Sequence, residues 1–448
     1  MKRLSLGAAL ILGLSTTACD DGATPTDGGG PGSDAGMMGA DTGMPPTGDG
    51  NDSFADADPL TLGEATTNRI SPAGDLDYFS FEGTADSWVQ IFTLANPEGA
   101  TDMIDTVITL YDASMTAIAE NDDRLPRTDT DSEIITRLPA TGTYYVLVQE
   151  FSTWPGAEMP APMAEGGDTF TYELTVQELS PDFAAVNIDM EMGDDVASAQ
   201  SMRRNGTAAI VVGGWDDASD VDVYSFLMAA NPNPNFIVLP AGPTGSGATM
   251  PAAMWVTSMD GTDTIARIAP TGTGLINFGP SLPLGRYNLH IQSGQAGAFY
   301  VIKSFITDDY TREAQDAMNG DPLMAEALVV EPDMDMPTIR QGSILAQLPE
   351  PDVDYYSFGN MTGEVVSVSC VSRTSGSGIQ DLMVEVTSAD GMTVVGSATE
   401  TATDSAFIEE LALPSVGTYL IHLTRGAQIA NVSGQWARCL VTLAPPPP

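Results

Sequence analysis

The sequence predicts an all-β protein in which three tandem antiparallel β-sandwich domains follow a signal peptide and a disordered tether. Three observations support this fold class. One strand motif recurs three times at nearly constant spacing, apolar and polar residues alternate in short runs, and clusters of Gly, Pro, Asn and Asp separate these runs. With 448 residues, of which 42% are hydrophobic, the chain is long enough for about three separate cores.

The first segment, residues 1–19, has the composition of an export signal. A basic pair precedes the apolar run 4–14, which is shorter than the roughly 20 residues needed to span a bilayer, and small residues lead to Cys19. This cysteine resembles that of a bacterial lipobox, where it is acylated and becomes the mature N-terminus, although Thr16 stands where lipoproteins usually carry leucine. We therefore expect lipidation at Cys19; the alternative is ordinary secretion with cleavage near Ala18.

The second segment, residues 20–50, is a predicted disordered tether. It contains two Gly- or Pro-rich clusters and six aspartates but no aromatic residue, lysine or arginine, so it cannot form a core. As a random coil it spans about 30 Å, enough to hold a domain away from a membrane surface. An anchor followed by such a tether indicates an extracytoplasmic protein attached to the cell envelope, at the outer membrane or the cell surface.

A repeated motif defines the three domains. Each copy has an Asp-x-Asp strand followed later by a Gly-x-Tyr strand; the second aspartates are Asp77, Asp222 and Asp354, and the glycines are Gly142, Gly285 and Gly417. The glycine follows the aspartate by 65, 63 and 63 residues, a spacing that chance would not maintain. We therefore predict domains of about 125 residues at 51–179, 180–306 and 319–444, with a linker near 308–318.

Alternation within the first copy predicts its strands. Phe79 and Phe81 share one face of the Asp-x-Asp strand, while Tyr78 and Ser80 share the other. Further strands are predicted at Trp88–Leu94, Thr106–Tyr111, 134–138, 144–149 and 169–177. Many short strands between turn signals are typical of an antiparallel sandwich.

The first copy also carries a longer motif than the other two. It opens with Asn51-Asp52, continues through Asp75-Leu76-Asp77-Tyr78-Phe79 and closes with Thr141-Gly142-Thr143-Tyr144. This order resembles the bacterial pre-peptidase C-terminal domain, a β-sandwich often appended to secreted proteases and collagenases. The resemblance implies a jelly-roll-like fold, and some members of the family bind calcium or collagen. The second and third copies keep only the Asp-x-Asp and Gly-x-Tyr strands, so they resemble degenerate members.

Acidic residues of the first copy predict a calcium site. Calcium takes six to eight oxygen ligands, and in relatives that bind it an acidic N-terminal segment meets the Asp-x-Asp turn; the matching positions are Asn51, Asp52, Asp75 and Asp77. A second acidic group occurs only in this copy and comprises Asn121, Asp122, Asp123, Asp129 and Asp131. The alternative is that all these side chains bond their own backbone in turns. We expect calcium in the first domain only.

The cysteines predict a disulfide in the third copy. With Cys19 assigned to lipid, Cys370 and Cys439 remain as a pair in an exported protein, and each alternates with apolar residues on a strand. Both side chains should therefore point into one core, where a disulfide closes a loop of about 70 residues. The alternative is two buried free thiols.

Composition and motifs limit the functions that the chain can have. Its net charge of −45 repels nucleic acid and anionic lipid, so the membrane is reached through the lipid anchor only. Only two histidines occur, His290 and His422, and catalytic and phosphate-binding motifs are lacking, so we expect no enzyme. We expect a non-catalytic surface protein that binds protein or polysaccharide in the envelope or outside the cell; the alternatives are a structural spacer and a hydrolase accessory subunit. An exposed aromatic face would favour binding, with Trp88, Trp154 and Trp255 as candidates.

Overall fold

The computed structural model describes residues 50–95, 104–124, 131–156, 163–190, 193–229, 233–307, 311–312, 319–333 and 336–446. Throughout these ranges the chain is all-β, with single 3-10 turns at Phe151–Thr153, Pro322–Met324 and Arg373–Ser375. Its strands form six sheets that pack in pairs, which confirms the predicted tandem β-sandwiches. Within the same ranges, no helix has the length and apolar character that a membrane span requires. Cys19, with the predicted signal and most of the tether, lies outside the described residues.

The first sandwich consists of two mainly antiparallel sheets. Its strands are β1 (Asp58–Pro59), β2 (Ala65–Arg69), β3 (Asp77–Gly83), β4 (Trp88–Leu94), β5 (Thr106–Tyr111), β6 (Ala117–Asn121), β7 (Glu133–Arg137), β8 (Gly142–Glu150) and β9 (Thr171–Glu178). The sheet with the Asp-x-Asp strand, here called the front sheet, has the order β1-β3-β8-β5-β6, and the back sheet has the order β2-β9-β4-β7. Phe79 and Phe81 point into the core between them, as the alternation predicts.

The second sandwich repeats this order. Its strands are β10 (Val186–Ile188), β11 (Gln200–Ser201), β12 (Ala208–Gly214), β13 (Val221–Met228), β14 (Asn233–Val238), β15 (Ala253–Ser258), β16 (Thr264–Ile268), β17 (Ile276–Phe278), β18 (Gly285–Gln292) and β19 (Phe299–Thr307). The front sheet is β11-β13-β18-β15-β16 and the back sheet is β10-β12-β19-β14-β17. The back sheet differs from that of the first sandwich by the added parallel strand β10.

The third sandwich has the same arrangement. Its strands are β20 (Thr311–Arg312), β21 (Glu326–Ala327), β22 (Glu331–Pro332), β23 (Arg340–Gln347), β24 (Val353–Gly359), β25 (Val365–Val371), β26 (Met383–Ser388), β27 (Val394–Thr399), β28 (Ala406–Ala412), β29 (Thr418–Thr424) and β30 (Trp436–Ala444). The front sheet is β21-β24-β29-β26-β27, and the back sheet is β20-β23-β30-β25-β28 with β22 also on β23. Because β20 pairs in parallel with β23, part of the predicted linker belongs to this sandwich.

Each sandwich contains an equivalent short segment, which lies beside its Asp-x-Asp strand. Backbone N–H groups of that strand bond to the first residue of the segment in the pairs Tyr78–Asn51 (2.9 Å), Val223–Gly193 (2.7 Å) and Tyr355–Asn319 (2.9 Å). The chain then pairs in parallel with the same strand at Asp58–Phe79, Gln200–Tyr224 and Glu326–Tyr356. The three segments are therefore structurally equivalent, although their sequences share few residues.

A buried interface joins the first and second sandwiches. Trp88 is 8% exposed, and its ring packs edge-on against Phe299 of the second back sheet at 5.4 Å between centroids. Around these rings the two sandwiches share an apolar cluster. Lys303 forms an ion pair with Glu133, and its Nζ also donates to the Arg124 carbonyl at 2.9 Å. The positive charge of Lys303 is thus buried between two sandwiches of a very acidic chain.

A second interface joins the second and third sandwiches. Trp436, at the start of β30, is 1% exposed and packs into the core cluster of the second sandwich. Arg438 on the same strand donates to Asn235 Oδ1 at 3.0 Å. Front-sheet edge strand β16 gains backbone bonds from this neighbour, since Ser433 N–H donates to Thr264 O at 2.9 Å and Gly434 N–H donates to Ile265 O at 3.0 Å. In both interfaces the later sandwich contributes residues of its back sheet.

Candidate functional site

A cleft of about 520 Å³ opens on the outer face of the first front sheet. We call it the front cleft. It is lined by Gly74, Leu76, Thr109, Tyr111, Glu120, Leu147, Gln149, Thr153, Trp154, Pro155 and Gly156. Strands β5, β6 and β8 supply the floor, and the turn after β8 supplies Trp154. Two aromatic side chains, one carboxylate and several neutral polar groups therefore face one concavity.

The turn that positions Trp154 is held by short-range hydrogen bonds. Glu150 Oε2 accepts from the Ser152 N–H at 2.7 Å, which caps the 3-10 turn, and the Trp154 N–H donates to the Phe151 carbonyl at 3.0 Å. The Phe151 and Trp154 rings lie 5.6 Å apart. Gly156 lies against the indole so closely that an added Cβ would overlap Trp154 Cε2 at 2.5 Å. The indole is therefore placed by its own loop.

An aromatic cluster borders the front cleft. The centroid of the Phe54 ring lies 4.7 Å from that of Tyr78, 5.1 Å from that of Tyr111 and 5.3 Å from that of Tyr145. All three tyrosines are on the outer face of the front sheet. Burial raises the pKa of Tyr111, and the negative charge of Glu120 adds to the increase. Tyr111 therefore presents a neutral, hydrogen-bonding ring to the cleft.

The three candidate tryptophans have different environments. Trp154 lines the front cleft, whereas Trp88 is buried in the interface with the second sandwich. Trp255 stacks on His290 at 4.8 Å with 7° between the planes, and the Arg267 guanidinium lies 4.9 Å from the same ring. Of the three, only Trp154 contributes to the cleft.

Strand register identifies equivalent positions on the three front sheets. Four neighbouring strands place one row of side chains on each outer face, here called the front rows: Tyr78-Leu147-Thr109-Glu120 in the first, Val223-His290-Trp255-Arg267 in the second and Tyr355-His422-Glu385-Ser397 in the third. In the third row, Tyr355 stacks on His422 at 4.2 Å, and His422 Nδ1 lies 2.9 Å from Glu385 Oε2. The two histidines therefore occupy the same position in the second and third front rows.

The predicted calcium residues lie near one another at the base of the first Asp-x-Asp strand. Asn51, Asp75 and Asp77 are each 1% exposed or less. Burial raises the pKa of Asp75 to about 6, and its contact with the Asp52 carboxylate adds to this increase. Asp75 accepts backbone bonds from Ser71 and Leu76, both at 3.1 Å. The turn interpretation therefore accounts for part of the Asp75 bonding but leaves two acidic groups in contact.

Asp77 has a different partner. Its Oδ2 accepts from the Tyr172 hydroxyl at 2.5 Å, which satisfies part of this fully buried carboxylate. Among the described residues, no group of three or more His, Cys, Asp or Glu side chains is arranged to hold a metal ion. In the third sandwich the equivalent of Asn51 is Asn319, whose buried Oδ1 and Nδ2 have no hydrogen-bond partner within the described part of the chain.

The second acidic group is dispersed. Asp131 Oδ1 accepts from the Ala95 N–H at 2.8 Å, and Asn121 Oδ1 accepts from the Glu133 N–H at 3.2 Å, so both serve the backbone. Asp122 and Asp123 lie near Asp105, whose pKa is raised to about 7 by burial first and then by these neighbouring charges. Asp129 lies outside the described residues.

The third sandwich contains the disulfide. Cys370 on β25 and Cys439 on β30 are directly paired across the back sheet, with 4.1 Å between Cα atoms, and are bonded to each other. Both side chains are fully buried in the core of this sandwich. Matching strand phase therefore places the two sulfurs together as the sequence predicts.

Comparisons with known proteins agree with this architecture for the first sandwich. Residues 75–150 match the family model of the bacterial pre-peptidase C-terminal domain, so this sandwich contains one such domain. The chain is similar in structure to the pre-peptidase C-terminal domain of a collagenase from Bacillus anthracis, at 19% identity over 27% of this chain and 94% of that one, with a TM-score of 0.20. It is also similar to a triple jelly roll protein of an archaeal virus turret, at 9% identity over 86% and 90% of the two chains, with a TM-score of 0.17. No curated protein matches the sequence.

Proposed function

We propose that this is a non-catalytic binding protein of the cell envelope, lipid-anchored through Cys19, which binds an extracellular or envelope protein or polysaccharide. The observation that carries the proposal is the front cleft, where Trp154 and Tyr111 face a shared concavity with Glu120 and Gln149. Clefts that combine aromatic walls with a few convergent polar groups are typical binding sites. The pre-peptidase C-terminal domain is often carried by secreted peptidases, and we infer a recruiting role for it here.

We infer that the second and third sandwiches are diverged copies of the first. Their support is the shared strand order of the front sheets and the equivalent N-terminal segments. In this proposal the first copy, which the tether joins to the anchor, keeps the ligand site, and the other two extend the protein beyond it.

Calcium binding in the first sandwich is part of the proposal. The contact between Asp52 and Asp75 fits a divalent cation, because two carboxylates that repel each other in a buried setting are stabilised by a positive charge between them. Asn51 would add an amide oxygen, and Asp77 a second buried carboxylate. The ion would tie the N-terminal segment to the Asp-x-Asp strand, next to the Phe54 cluster.

The experiment is a capture assay with the protein lacking residues 1–19, immobilised and exposed to envelope and extracellular fractions, with and without calcium. Trp154→Ala removes the cleft wall, and Trp255→Ala is the matched control because its indole packs outside the cleft. Capture that is lost in the first variant and retained in the second supports the proposal. Equal capture by all three proteins would refute a binding role for the cleft.

A structural spacer is the second candidate, and the two buried interfaces favour it. Trp88 and Trp436 are both at most 8% exposed, so each junction is packed like a core. A spacer needs such stiff junctions, whereas a string of independent binding modules does not. If no cleft-dependent ligand is captured, the spacer becomes the better proposal.

A further inference from the structure

The second and third front rows each contain a basic side chain stacked on an aromatic ring. In the second row, the Arg267 guanidinium lies 4.9 Å from the Trp255 ring. In the third row, His422 stacks on Tyr355 at 4.2 Å and contacts Glu385 at 2.9 Å. Cations and planar basic groups are attracted to the negative face of aromatic rings, and a carboxylate strengthens the attraction. In these two rows the chain therefore supplies both the aromatic ring and the basic group that stacks on it.

The first front row has an aromatic ring and a carboxylate but no basic residue. Leu147 occupies the position of His422, and Glu120 occupies that of Arg267. The Glu120 carboxylate accepts a bond from the Thr109 hydroxyl at 3.1 Å. In the described part of the chain, no lysine, arginine or histidine forms an ion pair with it.

The front cleft opens directly over this row. Leu147, Thr109 and Glu120 all line the cleft, so its open space lies over the row that lacks a basic side chain. A cation entering the cleft would meet Glu120 at its floor and could lie along the Tyr111 and Trp154 rings. A neutral group would leave the charge of a partly enclosed carboxylate uncompensated, which is unfavourable. The net charge of −45 also raises the local concentration of cationic partners.

We propose that the front cleft binds a lysine or arginine side chain of a protein partner, with Glu120 as the counter-charge and Trp154 and Tyr111 as the walls. This inference rests on the proposed binding function and narrows its ligand to a basic polypeptide segment. The partner supplies in the first sandwich the basic group that Arg267 and His422 supply in the other two.

The test uses the protein lacking residues 1–19 and two small probes, acetyl-Gly-Lys-Gly-amide and the same peptide with acetylated lysine. Single-charge probes avoid the general attraction of polycations to an acidic chain. Binding is measured by ligand-observed NMR at peptide concentrations up to about 10 mM, because so small a probe binds weakly. One cationic contact with an aromatic cleft increases the affinity by about tenfold. Glu120→Gln is the site variant. Glu385→Gln is the matched control, because it removes the same charge from a front row whose basic group is internal.

The expected result is that the lysine peptide binds about tenfold more tightly than its acetylated form, and that Glu120→Gln removes this preference while Glu385→Gln keeps it. Equal binding of the two peptides, an unchanged preference in Glu120→Gln, or no lysine binding at all would overturn the inference. The comparison of the two peptides on the unmodified protein needs no variant to fold. Trp154-dependent capture without lysine preference would overturn this inference alone, whereas lysine preference without any capture would overturn the proposed function.

Discussion

Replacement of Lys303 by methionine should destabilise the interface between the first two sandwiches. Lys303 and Glu133 are 5% and 6% exposed, and methionine keeps the aliphatic stem of the lysine but removes its charge. Glu133 would then remain buried with the Gln90 amide, at 2.5 Å, as its main side-chain partner. Removal of one member of a buried ion pair costs about 3–5 kcal/mol. Because the bond from Gln90 remains, we expect the lower end, about 3 kcal/mol.

The measurement is urea unfolding followed by tryptophan fluorescence, which reports the interface through Trp88. Loss of about 3 kcal/mol is a large part of the 5–15 kcal/mol that a typical domain has. We therefore expect the transition that includes the first two sandwiches to move to lower urea, or to split in two. Arg286→Met is the control, since Arg286 is exposed on β18 and its loss should change stability by no more than about 0.5 kcal/mol.

The double variant Lys303→Met with Glu133→Gln decides the cause. It leaves a neutral amide in the place of the uncompensated charge, and replacing both members of a buried pair is often close to neutral. We expect it to recover most of the loss, which gives a coupling energy of about 2 kcal/mol. A Lys303→Met cost below about 1 kcal/mol, or a double variant as unstable as the single one, would refute this account of the interface.

The same pair predicts the direction of acid sensitivity. Burial by itself raises the pKa of Glu133, but the charge and hydrogen bond of Lys303 outweigh it and hold the pKa below the ordinary glutamate range. A carboxyl with a lowered folded-state pKa contributes stability that is present above its unfolded pKa of about 4.3 and is lost as the pH falls through the folded value. The interface should therefore weaken progressively as the pH falls below about 4.3, and Glu133→Gln should remove this part of the acid dependence.

The remaining predictions concern the anchor, the disulfide and calcium. Cys19→Ser should move the protein from the membrane fraction to the soluble fraction, and continued flotation with membranes would contradict lipidation. Non-reduced digests of the exported protein should show the Cys370 and Cys439 peptides joined, whereas labelling of both as free thiols would exclude the bond. Calcium should raise the melting midpoint by several degrees at a hundred times its Kd, and Asp75→Asn with Asp77→Asn should abolish the increase. In chelator, burial of Asp75, with its raised pKa of about 6, should cost stability as the pH rises through 6, and calcium should reduce that loss.

Strand positions could be predicted well because alternation is a local property. The strands predicted at Trp88–Leu94 and Thr106–Tyr111 have these bounds in the structure. The phase of Cys370 and Cys439, together with the cysteine count, predicted the pair that the structure contains. Each depends on which face a side chain occupies, and the period of two in a strand determines that directly. The N-terminal segment was predicted only in the first copy; Gly193 replaces the asparagine in the second, and the third keeps the asparagine as Asn319.

The front cleft could not be predicted because it depends on register between strands that are distant in sequence. Glu120 and Leu147 lie in one row only because β6 and β8 align on either side of β5, where both are paired with Thr109. One signal was available: Tyr145 and Leu147 are neighbours in the outward-facing series of β8, and adjoining apolar side chains on an outer face indicate a covered or binding surface. Trp154 was among the candidates, but its neighbours could not be named from the sequence.

The outer faces of the three back sheets differ in polarity according to the position of each sandwich in the chain. Positions equivalent to Phe299 and Val301 of the second sandwich are Trp436 and Arg438 in the third. Val301, Trp436 and Arg438 are buried, and Phe299 is partly buried, against the preceding sandwich. In the first sandwich, residues 171 and 173 of β9 take these positions as exposed Thr and Glu. A repeat that ends an array needs a polar outer face, whereas an inner repeat needs an apolar one. Among the described residues, this face of the first sandwich is therefore exposed and polar. The proposed binding site, the front cleft, lies on the other sheet of the same sandwich.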